Sequence, residues 1–341
     1  MKYSSYVKKL LPITLMLLLS IEVLFAYQYE GIVRFNDQLS YSEINEDYII
    51  DVANVADLTL VIERELFGDK RNPKAKETEY SKITFSAGTS NDIFNRQLTH
   101  TNGTDTLNYN IYKDSTKAAL LKSLDYYTDL SDVLFYEFPS VTVAHEDVVI
   151  QRHTHEYVAV FAEDQFVPAG TYTDLIEADL FLNWNKDAPD ADPQQPELDS
   201  MDLNFTVEVL PFLGLSLTAS STFVAASESY SMPFGNIEDN ESRSVQVVAK
   251  SNVPYTVTAS SEHNGHIKHE LSTELIPYVM SFDGDPVDLS NSSSIPVELV
   301  SYPDMTPSTG NAYPMTISFG SVEGYESGNY QDSISFEITA N

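Results

Sequence analysis

The stretch Gly170-Thr-Tyr172-Thr-Asp174, running directly into residues 175–182 (LIEADLFL), decides how the rest of the chain reads. Its counterpart is Gly328-Asn-Tyr330-Gln-Asp332, which runs into residues 333–339 (SISFEIT). Each G-x-Y-x-D opens an apolar/polar alternation, the period of a strand with one face in a core. The glycine permits a tight corner, and a tyrosine just after it can fold back onto the corner's backbone. Upstream of each corner the same landmarks recur in the same order. Tyr80-Ser-Lys-Ile-Thr-Phe-Ser and Leu107-Asn-Tyr109 precede the first; Tyr255-Thr-Val-Thr-Ala-Ser-Ser and Ile276-Pro-Tyr278 precede the second, at shorter intervals. Matching order means an internal duplication, with loop insertions in the first copy.

Outward from the corners the chain reads as strands. Alternation appears in Val141-Thr-Val-Ala, Tyr157-Val-Ala-Val-Phe, Leu203-Asn-Phe-Thr-Val-Glu-Val, Ser244-Val-Gln-Val-Val and Tyr255-Thr-Val-Thr. Turn clusters separate the runs: Asn102-Gly, Phe234-Gly-Asn, Asn264-Gly, Asp283-Gly-Asp-Pro and Pro307-Ser-Thr-Gly. The expected fold is all-β, a β-sandwich or barrel in each of two related domains rather than an α/β enzyme. Residues 115–124 have helical composition and are open to a short helix or a strand. Residues 185–200 (NKDAPDADPQQPELDS) are acidic and proline-rich, the composition of a loop or linker. They lack the glycine turn and ligand spacing of a calcium loop. Pro211 marks the expected junction between domains at 27–210 and 211–341.

The chain has 341 residues, 51 acids against 19 bases, a formal net charge of −32 and no cysteine. Such acidity argues against nucleic acid or an anionic lipid surface as partner. Without cysteine there is no disulfide, thiolate metal site or thiol nucleophile. Residues 1–9 are basic, residues 10–20 are almost unbroken apolar, and Leu24-Phe25-Ala26 offers a cleavage site. This is the layout of a secretory signal over residues 1–26; a short uncleaved anchor is the alternative. Its removal takes three lysines and one glutamate, leaving the exported remainder more acidic still.

At these residues the sequence resembles a known family. The N-terminal half is similar to the spore coat protein U domain through Tyr80 to Gly88, Asn95-Arg96, Leu107 to Tyr112 and Pro168 to Asp174. The C-terminal half is similar to the pilin-type domain of the same group. Its matching residues are Phe234-Gly235, Ser251-Asn252 with Tyr255, Ser261 to Gly265, Ile276-Pro-Tyr278 and the terminal G-x-Y-x-D strand. The resemblance implies a secreted subunit of an archaic, Csu-type chaperone–usher pilus, with a two-domain chain at the fibre tip and a role in attachment and biofilm formation. It implies passage through the periplasm to the cell surface, with a periplasmic chaperone, an outer-membrane usher and a neighbouring subunit as partners. Family members often carry a cysteine pair, which this chain lacks.

The resemblance implies two immunoglobulin-like β-sandwich domains in tandem, the second lacking its last strand, which in such fibres is received from another chain by strand addition at an exposed edge. The chain ends just after the second G-x-Y-x-D strand, so the second domain is expected to need a donor. For the first, Met201, Leu203, Phe205, Val207 and Val209 share one face of a strand expected to complete it in cis; an early strand of the second domain is the alternative. Tyr27 to Phe35 alternates partly, and reads as a first strand of its own domain or as a weak donor.

Adhesion is expected in the aromatic stretch of Tyr126, Tyr127, Leu130, Leu134, Phe135, Tyr136 and Phe138, since tips of this type are implied to bind apolar surfaces through finger loops. A core strand pair is the competing reading of the same residues. His153-Thr-His155 with His145, and His263, His266 and His269, are two clusters of a common metal-ligand type, yet no fixed ligand motif accompanies them. They read as surface histidines, with no metal and no cofactor expected. No nucleophile elbow, phosphate loop, dinucleotide fingerprint or zinc-hydrolase motif is present, and an enzyme is not expected. A secreted carbohydrate-binding or surface-coat sandwich acting without a fibre is the second function class.

Overall fold

The computed structural model describes residues 31–341 except 37, 39–43, 49–53, 69–73, 77, 145, 164 and 184–197. The expected signal, His145 and most of the acidic stretch lie outside the described residues. The chain forms two compact units: one up to Gln165 with Thr171–Glu208, the other Phe166–Gly170 with Val209–Asn341. The sequence marked only a junction near Pro211; nothing in its composition signalled that 166–170 group with the later unit.

The first unit is built from β1 (Gly31–Phe35), β2 (Ile44–Tyr48), β3 (Val55–Phe67), β4 (Lys74–Lys76), β5 (Glu79–Phe85), β6 (Arg96–His100), β7 (Thr106–Tyr112), β8 (Leu134–Phe138), β9 (Val141–Val143), β10 (Val148–Phe161), β11 (Gly170–Asn183) and β12 (Asp199–Val209). Its main sheet runs β1-β3-β10-β7-β6-β11-β12-β2; β5 pairs with β11 and β8, and β4 with β9. Alternation places Leu58, Leu60 and Ile62 of β3, Leu107, Tyr109 and Ile111 of β7, and Ile176, Ala178 and Leu180 of β11 in one core. Residues 31–35 pair along β3, from Gly31 opposite Leu66 to Phe35 opposite Ile62.

Residues 115–124 form neither helix nor strand. Lys117 has a left-handed φ of 60°, and the chain doubles back so that the Leu121 N–H donates to the Ile111 carbonyl at 2.9 Å. Leu121 is fully buried. One apolar anchor in a returning loop outweighs helical composition here.

The second unit contains β13 (Leu213–Thr218), β14 (Ser242–Ser251), β15 (Tyr255–Ser261), β16 (His266–His269), β17 (Leu275–Phe282), β18 (Asp285–Val287), β19 (Val297–Tyr302), β20 (Asn311–Phe319), β21 (Tyr330–Gln331) and β22 (Ile334–Ala340). One sheet runs β13-β14-β20-β17-β16-β21 with β18 on β17; the facing sheet is β19-β15-β22. Val245 and Val247 from one and Tyr255, Val257 and Ala259 from the other meet in a core with Tyr278, Met280, Phe282 and Met315. The β17–β18 hairpin turns on Asp283-Gly284, both at positive φ (51° and 91°), the two-residue loop that the Asp-Gly pair signalled. Among the described residues there is no α-helix, and the short 3₁₀ turns are Gly88–Ser90 and Leu130–Asp132. The fold is all-β, as the alternation indicated.

Candidate functional site: an open groove in the second unit

The repeated corner frames the site. In the first copy Asp174 is buried and its carboxylate accepts from the Thr89 N–H at 2.9 Å and the Thr89 hydroxyl at 2.8 Å. The Tyr109 hydroxyl donates to it at 2.7 Å. In the second copy Asp332 accepts from the Tyr278 hydroxyl at 2.5 Å, the Ser261 hydroxyl at 2.6 Å and the His263 N–H at 3.0 Å. Each copy thus pins its corner aspartate with the tyrosine of its mid-domain landmark. Burial, with the carboxylate partner, pushes both tyrosine hydroxyls well above their ordinary pKa.

The corner tyrosines differ. Tyr330 donates to the Glu326 carbonyl at 3.0 Å, four residues back, and also to the Glu274 carboxylate. Tyr172 is fully buried, edge-on to His100 with ring centroids 4.8 Å apart. The glycines also serve different ends. Gly170 has a φ of 135°, whereas at Gly328 an added Cβ would lie 1.9 Å from the His269 Nε2. The first is required by conformation, the second by close approach.

β22 leaves this corner and pairs with β15 only, and β13 pairs with β14 only, among the described residues. Between these half-paired strands lies a groove of ≈ 1180 Å³. Leu215 and Leu217 of β13, Ile334 and Phe336 of β22, Val245 and Val247 of β14, Met315, Ile317 and Phe319 of β20, and Met232 and Phe234 line it. Leu213, Leu215, Leu217, Ile334, Phe336 and Ile338 are only partly buried, though they pack against the core. Both flanking strands therefore keep backbone groups open beside a row of half-buried apolar side chains, although the Leu217 N–H already donates to the Ser227 carbonyl at 2.8 Å. Sequence reading singled out the β22 strand and Phe234 but passed over Leu213-Gly-Leu-Ser-Leu217, whose alternation was there to be seen.

In the first unit the corresponding surface is covered. β12 lies between β11 and β2, with Leu203, Phe205, Val207 and Val209 at most 1% exposed and Met201 half-buried. Phe205 packs edge-on against Tyr109 at 5.6 Å.

The aromatic stretch divides in two. Leu134 and Phe138 belong to β8 and are buried, because β8 pairs with β5 from Glu79–Phe138 to Ile83–Leu134 and turns them inward. The structure removes these two from any surface. Phe135 stacks on Tyr80 at 5.8 Å and Tyr136 on His153 at 3.6 Å. Tyr127 receives the Lys82 ammonium on its hydroxyl at 3.2 Å, and Leu130 is half-buried. Tyr126 is 52% exposed, edge-on to Phe94, which is 57% exposed.

The histidines also depart from expectation. His155 is buried rather than on the surface, its Nε2 without a hydrogen-bond partner. Burial, reinforced by His153 and Lys113, pushes its pKa down to about 3. Its placement follows from β10, where it shares the inward face with Tyr157. His269 is buried as well. Glu262, His263 and Asp332 bring three ligand-type atoms within 4.8 Å, but the Asp332 oxygens already serve the hydrogen bonds above.

Residues 75–179 match the Spore Coat Protein U domain family. The match spans β5 to most of β11 and includes Asp174, Tyr109 and the aromatic stretch. Among curated proteins no sequence matches the chain. Similar solved structures include the chaperone–tip adhesion subunit pre-assembly complex CsuC–CsuE from archaic Csu pili of Acinetobacter baumannii, at TM-score 0.41 and 10% identity over 88% of this chain and 99% of that one. The CupB6 tip adhesin of Pseudomonas aeruginosa is similar at TM-score 0.34 and 9% identity, over 90% of this chain and 94% of its own.

Proposed function

We propose that this chain is an adhesive, non-catalytic subunit of a chaperone–usher pilus, with two domains meeting near Pro211 and a place at the fibre tip. The open groove of the second unit carries the reading. A strand laid between β13 and β22 would pair with the backbone groups still open on both, and its alternate side chains would cover Leu215, Leu217, Ile334 and Phe336. Burying a whole exposed apolar side chain stabilises by about 1.5–3 kcal/mol, and these half-buried ones would each gain part of that. A periplasmic chaperone would supply that strand first, and a neighbouring subunit after export through an outer-membrane usher. The first unit, with β12 in its own sheet and β1 on β3, is finished without a partner and is free to face outward. Its exposed pair Phe94 and Tyr126 is the best-placed contact for an apolar surface, and attachment and biofilm formation follow from it.

Co-expression with the periplasmic chaperone of an archaic usher system tests the assembly. The expected result is a one-to-one complex in which backbone amides of β13 and β22 become protected from hydrogen exchange, and which Phe336→Asp abolishes. A second unit already protected along both strands in the free chain would sink the proposal, and would favour a surface-coat protein acting alone.

A further inference from the structure

Between β13 and β14 the chain takes residues 219–241 to turn round, where a hairpin needs about two to five. An ordered loop of that length with no strand or helix of its own is uncommon and usually functional. Its first part is tied down: the Leu217 N–H donates to the Ser227 carbonyl at 2.8 Å and the Phe223 N–H to the Thr309 carbonyl at 2.9 Å. Its last part is tied too, with the Asn240 N–H on the Gly320 carbonyl at 3.2 Å. The stretch between them differs. Among the described residues, the backbone from Glu228 to Ile237 makes no main-chain hydrogen bond, yet every one of these residues lines the open groove.

Its side chains nevertheless follow a strand's alternation. Met232 and Phe234 are half-buried, while Ser231 and Pro233 are exposed. Met232, Phe234 and Ile237 pack against the core of the second unit, and Phe234 rests edge-on against Phe319 of β20 with ring centroids 4.9 Å apart. Arg243 sets its guanidinium over the Phe234 ring at 5.2 Å, and its Nη2 donates to the Phe234 carbonyl at 3.4 Å, a length at the outer limit of a hydrogen bond. Pro233, in the middle of the run, has no N–H to give to a ladder. The segment therefore lays apolar side chains on the groove as a strand would, and lacks the backbone pairing that would fix it there. A cover held by side chains alone opens at low cost. An uncovered groove with open strand edges invites aggregation, so such a cover protects the free chain.

From this we infer that residues 228–237 are a removable shield over one end of the groove, which an entering strand displaces by setting its own apolar side chains where Met232 and Phe234 rest. The inference rests on the groove being a strand acceptor and adds a regulation of that site. With the shield in place only a fraction of chains is ready for a strand, and the apparent affinity falls by that fraction. The strand that succeeds carries bulky apolar side chains at the Phe319 end, since small or polar ones would not replace the contacts given up.

The double variant Met232→Ser with Phe234→Ser, in the full chain, tests it against the periplasmic chaperone of an archaic usher system. Biolayer interferometry is expected to show the variant taking up the chaperone about tenfold more tightly than the wild type, and faster, because the closed state no longer competes. Equal or weaker uptake by the variant overturns the inference, since the segment is then a wall that the strand uses, and leaves the strand-accepting reading standing. No uptake by either chain overturns that reading and the inference with it. Should the double variant fail to fold, the wild type gives the answer through its Met232 methyl NMR signal, assigned with Met232→Leu. That signal is expected to move to the position of a solvent-exposed methionine when the chaperone binds. A signal that keeps its packed position overturns the inference.

Discussion

Two strand systems in this molecule begin from the same sequence device and end in opposite states. In the first unit, the corner of Asp174 leads into β11, and β12 then lies against β11 with Leu203, Phe205, Val207 and Val209 sealed from solvent. In the second, the corner of Asp332 leads into β22, whose inward residues Ile334, Phe336 and Ile338 are half-covered beside an open groove. Both strands alternate, and both carry an apolar inner row. What differs is whether another strand is in place beside them. An apolar row with a paired neighbour is a core; the same row without one is left open to solvent.

The sharpest way to break this comparison is to place a charge in each row. Phe205→Asp buries a carboxylate without a partner, and the first unit is expected to lose more than about 4 kcal/mol, enough to prevent folding. Phe336→Asp leaves its carboxylate reachable by water from the groove, so the free chain is expected to lose much less, about 1–2 kcal/mol. Urea unfolding followed by hydrogen exchange on β12 and β22 separates the two. Equal losses would mean that the groove is closed in solution and that the two rows do not differ.

Acid should also act unequally, with a direction set by His155. Its folded-state pKa lies near 3, far below the ordinary histidine value of 6.5, because burial disfavours the imidazolium and His153 and Lys113 repel it. The facing groups are His153, with ring centroids 4.5 Å away, and Tyr136 at 6.4 Å; the Lys113 ammonium is held on the Leu130 carbonyl at 2.5 Å. The unfolded chain therefore binds a proton that the folded chain refuses between about pH 6.5 and pH 3. The associated stability is fully present above 6.5 and is lost as the pH falls through that window, on the order of a few kcal/mol. His153, whose pKa burial also lowers, works in the same direction. Hydrogen exchange along β10 at pH 7 and pH 5 should show the loss, and His155→Phe should flatten it. A His155→Phe chain with unchanged acid sensitivity would place the cause elsewhere.

These differences were unevenly legible in the sequence. The duplicated corner and the period-2 runs were enough for an all-β chain with two related halves, because strand period and turn chemistry are local. The Asp174–Tyr109 and Asp332–Tyr278 bonds were half-visible: the repeat aligned all four residues, but only folding shows that each tyrosine reaches its aspartate across the domain. The burial of Leu134 and Phe138 was undecidable from composition, since an aromatic run suits a core edge as well as an exposed loop. His155 was misread because a histidine on a strand looks polar until the register of β10 turns it inward. The excursion at 115–124 was hidden for a related reason, as a single buried leucine fixed its path.

The corner aspartates give a finer comparison between the halves. Asp174 is buried and accepts from the Thr89 N–H and hydroxyl, the Leu175 N–H and the Tyr109 hydroxyl, so Asp174→Ala is expected to cost about 2–4 kcal/mol through four abandoned donors. Asp332 is less deeply covered, so Asp332→Ala is expected to cost less, about 1–2 kcal/mol, since water replaces part of what is lost. Chemical denaturation of the two single variants measures the gap. A larger loss at Asp332 would reverse the order that burial sets.

The smallest effect on stability is the most informative about function. Phe94 and Tyr126 project from the first unit with ring centroids 6.0 Å apart and more than half their surface in solvent. Neither fills a core, so replacing both with serine should move stability by no more than about 0.5 kcal/mol. Their exposed apolar area is nevertheless what an apolar surface would bury, at roughly 25 cal/mol per Å². Phe135 is the right contrast: it lies in β8 and stacks on Tyr80, so Phe135→Ser should lower stability as well as any attachment. Retention on polystyrene beads, beside a melting curve for each variant, distinguishes the cases. The double serine variant should detach while melting normally, and a chain that still binds would move adhesion away from this pair.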